Sequence, residues 1–246
     1  MSQSRRQLVA KPSYFAECRN YENAIAVEVA FFKGLLDAKD YIKGMLSNRS
    51  LQVACKEVAS FLQDHGRPLD ILVDFSVTDP RSSAVHTLFL GTQLNPPKKD
   101  CHAQVTHFLC LTDDNSILVK IHLDLDFHAD ASEKKPSPHV QIGGRAFPAL
   151  FNKNASNKQT ICWNEQLDKP RMPSLPTCTA LLWHWAFLEY QGNEQVSDFL
   201  DTWHWKRLVQ KAEESVLAPY FADASRLLQQ KPAHGFFNAL YFPLSK

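Results

Sequence analysis

The stretch Ile121-His122-Leu123-Asp124-Leu125-Asp126-Phe127-His128-Ala129-Asp130 sets imidazoles and carboxylates at every second position. Side chains alternate between the two faces of a strand. Read as a strand, the segment carries His122, Asp124, Asp126, His128 and Asp130 on one side, and Ile121, Leu123, Leu125 and Phe127 on the other. Same-face neighbours stand roughly 6.5–7 Å apart along a strand. Two of them, with His139 from the following segment, have the nitrogen and oxygen donors that suit one divalent ion such as zinc or manganese. An ion held there would activate water, the chemistry of a metal-dependent hydrolase or nuclease-like effector. The same alternation also describes an antiparallel strand with one solvated face. No H-E-x-x-H frame supplies a second ligand set. Both readings of the strand therefore stand.

Other chemistry-bearing residues are scattered. Cys162, in Thr160-Ile161-Cys162-Trp163, is a candidate nucleophile, but a reactive thiolate needs a nearby cation or helix N-terminus, and a cysteine beside Ile and Trp also reads as packed. The triplets Trp183-His184-Trp185 and Trp203-His204-Trp205 offer either a stacking platform for bases or an aromatic seam between amphipathic helices. Trp203 continues the stripe Val196, Phe199 and Leu200, which favours the core for it. Arg171 sits between Pro170 and Pro173 in a rigid extended segment and is a candidate ligand or partner contact. In the apolar tail, Phe236, Phe237, Tyr241 and Phe242 are candidates to dock on a partner or to complete the chain's own sheet.

Composition narrows the classes. The 246 residues are 44% hydrophobic and 22% charged, enough apolar surface for a substantial core. Lys and Arg number 27 against 26 Asp and Glu, so net charge does not point to nucleic acid. No run of about 18 apolar residues suggests a membrane span, and the first residues lack a signal-peptide pattern, so a cytoplasmic protein is expected. The six cysteines have no C-x-x-C spacing and are expected as reduced, mostly buried thiols. Neither a dinucleotide-binding nor a P-loop glycine pattern is present.

The elements that must position these residues follow from periodicity. Helical spacing predicts a helix from Ser13 to about Leu46, a break at Asn48-Arg49-Ser50, and a second helix over 51–64. The period then changes to two. Strands are predicted at Leu69–Val77, Ala84–Leu94, His102–Thr112 and Ile117–His128, and their short connections imply an antiparallel meander. Residues 129–172 read as irregular, with one short apolar piece at His139-Val140-Gln141-Ile142 and another around Phe147–Phe151. Helices return after Pro176: Thr177 is the predicted cap of one running to about Tyr190, a further stripe includes Leu208, and Pro219 is expected to break or kink the chain at that point. Residues 235–244 are a possible extra strand. The expected architecture is one α+β domain over residues 1–246, with N-terminal helices, a four-stranded antiparallel meander and C-terminal helices.

The order of motifs also resembles a known group. A polar strand ending near Asp126-Phe127-His128 leads to Pro138-His139-Val140-Gln141, then to Pro170-Arg171-Met172-Pro173 and the apolar helix Leu181–Tyr190. This is similar to a family of bacterial domains of unknown function found in anti-phage defence and mobile-element neighbourhoods, over roughly residues 117–190. The chain departs from it by the long insertion between Gln141 and Arg171. The resemblance implies no activity. With the missing catalytic frame, it leads to the expectation of a non-enzymatic, accessory interaction subunit of a bacterial multiprotein system in antiviral defence, with other protein subunits as partners and no cofactor. One divalent metal belongs to the hydrolase alternative. A second similarity, of topology, is to the ubiquitin-conjugating fold, where a His-containing turn precedes a catalytic Cys. It implies His139 and Cys162 as catalytic candidates, although the His-Pro-Asn triplet is replaced by Pro138-His139-Val140.

Overall fold

Four runs of alternating apolar and polar residues, joined by connections too short for a crossover, can only pair with their sequence neighbours. The computed structural model describes residues 21–37, 49–64, 66–78, 83–97, 103–113, 117–127, 138–142, 172–190 and 194–230. Its sheet runs β1 (Leu69–Thr78), β2 (Val85–Asn95), β3 (Ala103–Thr112), β4 (Ile117–Phe127), β5 (His139–Ile142) and β6 (Met172–Pro173). All six strands are antiparallel and lie in sequence order. The predicted meander is therefore present and extended by two short strands. His139–Ile142 and Met172–Pro173, read from sequence inside an irregular segment, pair at the edge beyond β4. Four and two residues are too few to show a period.

Before the sheet come α1 (Tyr21–Asp37) and α2 (Arg49–Gln63), and after it α3 (Thr179–Glu189), α4 (Glu194–Asp201), α5 (Trp203–Ala212) and α6 (Ala218–Gln230). The chain is thus α+β, with helices on either side of the sheet in sequence. Helix α2 begins at Arg49, where the sequence suggests a break. Ser50 there accepts the backbone N–H of Asp74 in β1 at 3.1 Å, which ties the helix start to an edge strand. No helix is long and apolar enough to cross a membrane among the described residues.

One sheet face carries Leu69, Ile71, Val73 and Phe75 of β1, Leu88, Leu90 and Leu94 of β2, and Val105, Leu109 and Leu111 of β3. They form one core with Phe31 and Phe32 of α1, Val58 and Phe61 of α2, Trp183 and Phe187 of α3, Phe199 of α4 and Trp205 of α5. The aromatic rings meet edge to face, as their quadrupoles favour: Phe75 with Phe187 at 5.1 Å and Phe31 with Trp183 at 5.9 Å between centroids. The opposite face has a smaller cluster, Leu72, Phe108 and Cys110.

The C-terminal helices correct two expectations. Thr202 interrupts the stripe: its Oγ1 accepts Trp205 N–H at 3.3 Å and caps α5, so α4 and α5 are separate helices. The break resets the helical phase. Trp205, 1% exposed, enters the core, whereas Trp203, expected there, is 63% exposed with the Arg207 guanidinium 5.0 Å from its ring centre. Pro219 does not end the chain's helical course. The π turn Glu213–Leu217 leads into α6 without a break, Ala212 and Ala218 on either side both keeping αR backbone, so Pro219 stands in a continuous helical run just after the point where the regular ladder is already disrupted.

Candidate functional site

Strand register decides which polar side chains meet. Asp124 in β4 lies opposite Thr106 of β3 on one side and His139 of β5 on the other, and His122 lies opposite Phe108 and Gln141. Directly opposed residues of antiparallel strands share a face. Thr106, Asp124 and His139 therefore form a row across three strands, with His122 and Gln141 in the next row. This is the face away from the helices, because Val105, His107 and Leu109 of β3 take the helical side.

The row is in contact. Thr106 Oγ1 donates to Asp124 Oδ1 at 2.6 Å. Asp124 Oδ2 lies 3.0 Å from His122 Nδ1 and 3.5 Å from His139 Nε2. Of the sequence candidates, the structure thus brings together His122, Asp124 and His139. The solvated-face reading does not hold for them: Asp124 and His122 are each 6% exposed and His139 is 1% exposed. Burial opposes ionisation of Asp124, but the contacts with His122, Thr106 and His139 outweigh it and hold its carboxyl below the usual value. Neither ring nitrogen of His122 has an aligned hydrogen bond; its approach to Asp124 is close but off-line.

A carboxylate flanked by two imidazoles has the donor types to hold a divalent cation or to pass a proton. Among the described residues no three His, Cys, Asp or Glu side chains stand together so as to hold a metal ion. The Asp126 side chain and His128 lie outside the described residues, as do Asp130, Cys162, Arg171, Phe236, Phe237, Tyr241 and Phe242. His139 stands within β5, paired to β4, rather than in a turn. The described thiols of Cys55, Cys110 and Cys178 are free, and burial pushes Cys110 up to about 12, so it is no nucleophile.

A second buried polar group, unforeseen in the sequence, lies one residue away on the helical face. His107 Nε2 is 2.8 Å from Glu28 Oε1 of α1. The same Glu28 carboxyl accepts the backbone N–H of Thr179, the first residue of α3, at 3.1 and 3.3 Å. Thr179 Oγ1 shares a hydrogen bond of 2.7 Å with Thr92 of β2. Sequence predicts Thr177 as the cap of this helix. Its hydroxyl instead bonds the Cys178 carbonyl, and Cys178, in the N-cap position, makes no side-chain cap. The cap comes from Glu28, 151 residues away, which no local pattern can reveal. Thr106 and Gln141 escape a sequence reading for the same reason: only strand register makes them neighbours of Asp124 and His122.

The helical layer holds the remaining candidates. In the first triplet, Trp183 is buried and Trp185 is 45% exposed. Helix α3 is apolar around its circumference, with Glu189 its only charged residue. Such a helix is ordinarily enclosed. Here its outer side carries half-buried Leu181, then exposed Trp185 and Leu188, at the i, i+4, i+7 spacing of one stripe. Comparison with known proteins gives no match at the level of family models, curated proteins or solved structures.

Proposed function

We propose that this chain is a non-enzymatic interaction subunit of a multiprotein system, in keeping with the bacterial defence setting that the sequence resemblance implies. The observation that supports it is the outer stripe of α3. Leu181, Trp185 and Leu188 form an uncharged strip on a helix whose composition suits enclosure on all sides. A Trp presented on a well-packed helix is an anchor of the kind that dominates protein interfaces, and the flanking Leu side chains supply apolar area that excludes water around it. The test is light scattering after size exclusion, for the chain alone and mixed with the products of neighbouring genes. A mass above 28.0 kDa is expected, and the double substitution Trp185→Glu, Leu188→Glu returns it to that of the free chain. A monomer that binds none of its neighbours, or a complex indifferent to the double substitution, sinks the proposal.

A second reading, a metal-dependent hydrolase, draws on one observation: a buried Asp124 kept ionised between two imidazoles. It predicts about one equivalent of zinc or manganese in the purified protein, lost in Asp124→Asn. Elemental analysis decides it. Metal-free protein, or metal retained by the variant, removes Asp124 as a ligand.

A further inference from the structure

Trp205 is the largest of the fully buried side chains and the corner at which α5 joins the core, with Phe199 at 4.7 Å and Phe187 at 6.0 Å between ring centres. A buried indole N–H usually finds a hydrogen-bond partner, and that of Trp205 does, whereas that of Trp183 does not among the described residues. The Trp205 N–H donates to His184 Nδ1 of α3 at 3.2 Å. Indole nitrogen only donates, so His184 Nδ1 must be the acceptor, which requires the neutral ring with its proton on Nε2. A protonated ring has N–H groups on both nitrogens and offers Trp205 a donor where it needs an acceptor.

We propose that the Trp205–His184 hydrogen bond is an acid-sensitive latch that holds α5 against α3. Protonation of Nδ1 sets two N–H groups against each other and releases the Trp205 corner from α3. The surroundings of His184 suit this role. It is half-buried, and burial draws its pKa below the ordinary imidazole value, with Glu213 of the π turn opposing. On α5, His204 and Lys206 flank Trp205, and Lys206 is paired with Asp201 at 3.0 Å. Asp198 and Asp201 of α4 and Lys33 of α1 are exposed. Glu28 and His107, from α1 and β3, are engaged at the first residue of α3, and β2 brings Thr92 to the same place. A group with a depressed pKa in the fold stabilises it fully above its unfolded value, and that contribution is lost as pH falls through the folded one. The latch is therefore closed at neutral pH and opens on acidification. The π turn after α5, with its looser hydrogen-bond ring, is the segment able to absorb the movement.

The test is the set of indole N–H resonances of the full-length, nitrogen-15-labelled protein, followed from pH 8 to 5 beside the His184→Gln variant. Glutamine retains a carbonyl acceptor but does not titrate in this range. One indole resonance is expected to shift with a midpoint below about 6.5 in the wild type, and to stay fixed in H184Q. If no indole resonance titrates in the wild type, or if the same titration persists in H184Q, the latch is overturned. Should H184Q fail to fold, the wild-type titration decides alone: the indole shift must share its midpoint with one histidine ring.

Discussion

At the level of single residues, the central fact is a carboxylate kept ionised out of water. Asp124 is tolerated because Thr106 donates to one oxygen while His122 and His139 approach the other. Removing the carboxylate leaves the Thr106 hydroxyl and the imidazoles without that acceptor in a buried site, which costs about 1–3 kcal/mol. Asp124→Ala is expected to lower unfolding free energy by that order at pH 7, measured by urea denaturation. The sign of the pH dependence comes from its depressed pKa. Its contribution is present above the unfolded carboxylate value of about 4 and is lost as pH falls through the lower folded value. The gap between wild type and variant should therefore narrow below about pH 4. A gap unchanged down to pH 2 means that ionised Asp124 is not what stabilises the row. Sequence points to His122, Asp124 and His139 because alternation and identity are local. It does not show Thr106, whose partnership depends on the pairing of β3 with β4.

Among the elements, the helical ends carry the information that periodicity misses. A stripe through Val196, Phe199, Leu200 and Trp203 reads as one helix, yet Thr202 caps a new one and turns Trp205 inward in place of Trp203. Loss of a Thr cap costs about 1 kcal/mol. Thr202→Ala is expected to lower stability by about that much, read as a shifted urea midpoint with an unchanged slope. No shift means that Thr202 does not fix the start of α5. The strand bounds, by contrast, match the sequence closely, from Leu69 through Phe127, since each run is long enough to show its period and ends at a turn signal. The start of α3 lies next to the predicted cap, at Cys178 in place of Thr177, but its capping partner is hidden from the sequence, because the first N–H is satisfied by Glu28 of α1 rather than by a neighbouring side chain.

Across the whole molecule, two buried polar groups sit back to back through β3. Thr106 serves the buried row on the face away from the helices, and His107 serves the Glu28 knot under them. The knot binds α1, β2, β3 and the start of α3 into one unit, which presents the outer stripe of α3 on a rigid base. The sequence by itself determined the α+β order, the antiparallel meander and the polar strand of β4, because hydrophobic period, turn residues and short connections act over a few residues. Tertiary structure alone decided that the polar row is buried, that β5 and β6 extend the sheet, that Trp205 rather than Trp203 is core, and that Glu28 caps α3. Each of these depends on contacts between segments far apart in the chain, and burial, pairing and capping at that distance leave no periodic trace in the residues that take part.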